Sequence, residues 1–118
     1  MLTLAVVVLA LVRPPAAYAD NGSAHVPLTI SSWCWAAHCS APIARARHVI
    51  PVRRGATLRI HLQFAPTAVA LAVGGVRVVP AVRGTELTWH AKRAGGLSLT
   101  ATGVRGFVTY VGRVVFRS

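Results

Sequence analysis

This sequence predicts an all-β protein, a sandwich of two antiparallel sheets with about seven or eight strands. Three observations carry that expectation. Apolar side chains recur with a period of two along most of the chain after residue 25. Glycine pairs fall between the alternating runs, and no stretch shows the 3.6-residue period of an amphipathic helix. A small β-barrel is the second architecture compatible with the pattern.

Residues 2–12 (LTLAVVVLALV) form an apolar run broken by one threonine. At about 1.5 Å per residue a helix of that length covers roughly half of a bilayer's hydrocarbon core, too little to span it. Arg13-Pro14-Pro15 and then Ala17-Tyr18-Ala19, a small-x-small sequence, follow it. Residues 1–19 are therefore expected to be a secretory signal peptide cleaved after Ala19, and residues 20–118 a single exported domain. The absence of a basic residue before Arg13 departs from the usual leader pattern.

Residues 20–25 (DNGSAH) are polar and read as a frayed start. Residues 26–33 read as a first strand, and residues 48–54 as a short one interrupted by Pro51. In residues 58–64, Leu58, Ile60, Leu62 and Phe64 point one way while Arg59, His61 and Gln63 point the other. A helix would scatter those apolar groups around its circumference; a half-buried strand aligns them. Val69, Leu71 and Val73 then run into Gly74-Gly75, and Val76 and Val78 run out, as in a two-residue hairpin that needs positive φ. That register sets Val73 opposite Val76 and Leu71 opposite Val78. Pro80 places the returning strand at an edge or ends it. Leu87, Trp89 and Ala91 alternate with Thr88 and His90, and Leu97, Leu99 and Ala101 with Ser98, Thr100 and Thr102. In the last strand Val108, Tyr110, Val114 and Phe116 face inward, Thr109, Arg113 and Arg117 outward, and Gly112 is the expected site of a bulge.

Several of these features together resemble small exported immunoglobulin-like domains of bacteria. They are the aromatic-flanked cysteines (Trp33-Cys34-Trp35 and Cys39), Pro51 before Gly55, and the strand at 58–64. Leu87 with Trp89, Gly95-Gly96, Leu97-x-Leu99 and Gly106-x-Val108-x-Tyr110 complete the set. The resemblance implies a fold and an extracytoplasmic location, and it carries over no catalytic residue.

Charge is the most unusual property of the chain. Thirteen Lys and Arg face two acidic residues, Asp20 and Glu86, for a net charge of +11. Such a surplus favours polyanionic partners: cell-wall polymer, envelope lipid or an acidic protein. It is also what an arginine-biased composition produces without any function. Arg59, Arg77, Arg113 and Arg117, on outward positions of strands, are the candidate anion contacts. Specific nucleic-acid binding is not expected, because the outward positions lack the interleaved aromatics that stack bases.

Two carboxylates, one near the chain start, argue against paired acid–base catalysis, and no G-x-S-x-G nucleophile elbow or phosphate-binding glycine loop is present. The chain is not expected to be an enzyme or to need a cofactor. An even cysteine count in an exported chain predicts a Cys34–Cys39 disulfide. The competing reading is a metal site of Cys34, His38 and Cys39, with a fourth ligand from His25, His61 or His90. Three functions follow from these residues: a binding module for anionic surfaces, an extracytoplasmic metal-binding protein, or a structural surface domain whose charge is compositional.

Overall fold

The computed structural model describes residues 13–41 and 44–117. Five strands form one sheet in the order β2 (His25–Pro27), β1 (Ala17–Asp20), β6 (Thr57–Leu62), β10 (Glu86–His90) and β9 (Ala81–Arg83). The second sheet runs β4 (His38–Ser40), β3 (Thr29–Trp35), β12 (Gly106–Phe116), β11 (Gly95–Gly103), β7 (Ala68–Val73) and β8 (Val76–Val78). The strand β5 (Val49–Val52) joins it beside β12. Among the described residues all pairings are antiparallel except β5 with β12. The described residues contain no helix, and the sheets do not close into a barrel.

The expected alternation is what fills the space between the sheets. Leu58, Ile60 and Leu62 of β6 and Leu87 and Trp89 of β10 are buried from one side. Leu71 and Val73, Leu97, Leu99 and Ala101, and Val108, Tyr110 and Val114 meet them from the other. The β7–β8 hairpin has the expected register, Val73 opposite Val76 and Leu71 opposite Val78. Its two glycines both have positive φ (60° and 78°). Trp33 and Trp35 face inward against this core, with Trp35 tilted on Phe64 at 4.9 Å between ring centroids. Pro80 lies in the crossing from β8, an edge of one sheet, to β9, an edge of the other.

Among the described residues twelve strands stand where about eight were expected, and the additional ones come mostly from the first forty residues. The stretch 26–33 is not one strand. Leu28, buried, divides it, and the chain passes there from the five-stranded to the seven-stranded sheet. Residues 20–25 are not frayed. The Asn21 side chain accepts hydrogen bonds from the Ser23 and Ala24 backbone N–H groups at 2.8 Å and donates one to the Pro51 carbonyl at 2.7 Å. This clamps the β1–β2 turn onto β5. Of the expected leader, residues 1–12 lie outside the described residues, whereas Ala17-Tyr18-Ala19 belong to β1, paired on both sides.

Gly112 is not a bulge. The irregularity in β12 lies between Val108 and Tyr110, opposite β3. Gly112 faces inward, and a Cβ there would meet Leu28 Cδ2 at 3.0 Å and Ile50 Cδ1 at 3.2 Å. The missing side chain lets those two residues close over the strand.

The β3–β4 hairpin turns through Ala36 and Ala37, with φ of 50° and 67°. Two alanines therefore occupy left-handed positions that Asn-Gly would fill with far less strain. Left-handed backbone costs roughly 1–2 kcal/mol per L-residue. Replacing both residues (Ala36→Asn with Ala37→Gly) should raise stability by about 1–2 kcal/mol. Denaturant midpoints of the two proteins check this, and an unchanged or lowered midpoint would contradict it.

Candidate functional site

The two outer faces of the sandwich differ in charge. On the five-stranded sheet, cross-strand pairing builds two neighbouring rows. One runs His25, Asp20, Arg59, Thr88; the other runs Tyr18, His61, Glu86, Arg83. Acidic and basic side chains at adjacent positions are thereby brought together. His25 Nε2 lies 3.4 Å from Asp20 Oδ2, Arg59 Nε 3.5 Å from Glu86 Oε1, and His61 Nδ1 3.6 Å from Glu86 Oε2. Tyr18 stacks between His25 and His61, each ring centroid 4.8 Å away. The Gly22 N–H, donating to Asp20 Oδ1 at 2.8 Å, and then the nearby His25, His61 and Arg59 hold the Asp20 carboxyl below its ordinary value, with partial burial opposing them.

Asp20 and Glu86 are the only acidic residues in the chain, and both lie on this face. The outer face of the seven-stranded sheet therefore carries no carboxylate side chain. Its centre is a floor of small residues: Ala70 and Ala72 on β7, Gly96 and Ser98 on β11. Two adjoining hollows open over that floor and share Ser98. The first, about 310 Å³, is bordered by Arg77; the second, about 530 Å³, by Arg113 on β12 and by Arg45 from the β4–β5 connection. All three arginines are exposed, and none takes part in an ion pair among the described residues.

The four arginines singled out from the sequence do not share one face. Arg77 and Arg113 do: Arg77 pairs across to Ala72, Ala72 to Ser98 and Ser98 to Val111, two residues before Arg113. Arg59 belongs to the opposite sheet, its charge offset by Glu86. Arg117 lies past the end of β12, with its backbone N–H bonded to the Val52 carbonyl at 3.0 Å and its Nη2 3.5 Å from Ser23 Oγ. Arg45 belongs to the site and was not singled out. It lies in a connection without strand periodicity, so no alternation marks its direction.

Cys34 and Cys39 are directly opposed in the β3–β4 pair and joined by a disulfide. Their sulfurs are bonded to each other, so the thiolate ligands that the metal reading needs are not free. Among the described residues, no group of three or more His, Cys, Asp or Glu is placed to hold a metal ion. No helix of the described residues is long and apolar enough to cross a membrane.

Fold and surface together define the class: a two-sheet all-β protein with a mixed-charge face on one sheet and a carboxylate-free, arginine-bordered face on the other. No family model, curated protein or solved structure matches the chain.

Proposed function

We propose that this chain is an exported, non-enzymatic binding module that contacts an anionic surface through the outer face of its seven-stranded sheet. The observation that carries the reading is the segregation of charge. With both acidic side chains on the opposite sheet, Arg77, Arg113 and Arg45 border a face with no carboxylate side chain to offset them. Exposed positive charge that is not internally compensated attracts polyanions over distances of about a Debye length, ~8 Å at physiological salt.

Export is supported by the disulfide, which persists in oxidising compartments. The immunoglobulin-like reading draws support from strand order. β1-β6-β10-β9 in one sheet and β7-β11-β12 in the other reproduce the A-B-E-D and C-F-G order of such domains. The chain adds β2–β5 between β1 and β6, and β8 between β7 and β9.

The test is vesicle binding. Affinity for phosphatidylglycerol-containing vesicles should fall on the order of tenfold between low and physiological salt. Arg77→Glu and Arg113→Glu should each weaken binding severalfold, and Arg59→Glu far less, because Arg59 is already offset by Glu86. Equal losses at all three positions would mean that net charge alone drives binding.

A further inference from the structure

The two hollows are separate in what borders them. Arg77 borders only the first, Arg45 and Arg113 only the second, and Ser98 lies at their junction. From Arg77 to the Val111 row the face spans three strand spacings, roughly 14 Å in all, and Arg113 lies about 7 Å further along its strand. An anion seated in one hollow leaves the arginine of the other without a partner. The floor between them offers little beyond Cβ atoms at Ala70 and Ala72 and none at Gly96, so a chain-like ligand can lie close to the sheet. The exposed Ser98 hydroxyl stands at the crossing point. Thr100, at the side of the first hollow, has its hydroxyl 3.0 Å from that of Thr109.

Among the described residues, neither hollow is lined by an aromatic ring. Bases of single-stranded nucleic acid are held by stacking on such rings, so this face suits a ligand recognised by its repeated charge alone.

We propose that this face docks a linear polyanion, whose successive anionic groups engage Arg77 on one side of Ser98 and Arg45 with Arg113 on the other. The assignment rests on the binding reading above and goes beyond it by specifying a polymer that bridges two sites. Bridging makes the second contact intramolecular, and such linkage raises affinity by about 10²–10⁴ over a single site when the ligand spans both.

The experiment measures binding of the full chain to orthophosphate, tripolyphosphate and long-chain polyphosphate at matched ionic strength, with phosphatidylglycerol vesicles in parallel. Long-chain polyphosphate is expected to bind at least about tenfold tighter per phosphate than tripolyphosphate. Arg77→Glu and Arg113→Glu should each remove that length advantage while leaving tripolyphosphate binding within about twofold, since one hollow survives in each variant. Equal affinity per phosphate for short and long chains overturns the bridge and leaves the anionic-surface reading standing. Vesicle binding without polyphosphate binding overturns it in favour of a lipid surface. Loss of neither interaction in the two variants also overturns it. Failure to bind any of these probes removes the anionic reading itself.

Discussion

Replacing Gly106 by alanine should destabilise the domain by about 3–5 kcal/mol, a large part of the roughly 5–15 kcal/mol that holds a domain together. Gly106 opens β12 at φ +144°, a region that L-residues rarely enter, and a Cβ there would fall on the carbonyl oxygen of Cys34, with Trp35 Cα at 3.1 Å. Strained backbone costs roughly 1–3 kcal/mol and overpacking about as much again. Neither neighbour can retreat cheaply. Both are backbone, Cys34 is tied to Cys39, and the Ala36 N–H bonds the Arg105 carbonyl at 2.9 Å. Two other glycines grade the effect. Gly112→Ala meets only the flexible ends of Leu28 and Ile50 and should cost about 1 kcal/mol, towards the low end for overpacking. Gly96→Ala meets nothing within 4 Å and should stay within about 0.5 kcal/mol. Denaturant unfolding followed by tryptophan fluorescence measures all three. A Gly106→Ala midpoint no lower than that of Gly112→Ala would refute the account.

A chain shortened to begin at Asp20 should be less stable than the full chain by about 3 kcal/mol or more. Three losses add up. The Tyr110 hydroxyl, on a fully buried ring, donates to the Pro15 carbonyl at 2.6 Å, and leaving such a donor without its partner costs about 1–3 kcal/mol. Burial also pushes that hydroxyl's pKa up, so it stays a donor at any ordinary pH. Ala17 and Ala19 leave the core, and the Leu28 N–H loses the Ala17 carbonyl it bonds at 3.0 Å. Finally, β2 loses its neighbour and β6 becomes an edge. On the exported reading, cleavage after Ala19 would remove β1, whereas cleavage ahead of Pro15 would keep it and the Tyr110 contact. The intact mass of protein recovered from an exporting host decides between the two. A mature chain starting at Asp20, equal in stability to the full chain, would show that β1 is dispensable.

The small-x-small pattern at Ala17-Tyr18-Ala19 is ambiguous for a physical reason. Small residues at alternate positions suit a peptidase's subsites, and they equally suit a strand whose inner face must pass close beneath a packed core. Local sequence cannot separate those requirements; the Tyr110 contact, 95 residues away, bears on it. Residues 20–25 are a similar case. Their polarity reads as disorder until Asn21 is seen to cap the turn and reach Pro51.

What the sequence determined by itself is the set of buried side chains in β6, β7, β10, β11 and β12 and the β7–β8 register. Those follow from alternation and turn chemistry, which act between neighbours along the chain. The tertiary structure alone decided which sheet each outward residue belongs to. Alternation says that Arg59, Arg77 and Arg113 point outward, yet two sheets have two outsides. Only the pairing of β6 with β1 and β10, and of β12 with β11, puts both carboxylates beneath one face and leaves the arginines of the other without them. Strand pairing joins residues distant in sequence, and for that reason the charge asymmetry was not visible in the order of the amino acids.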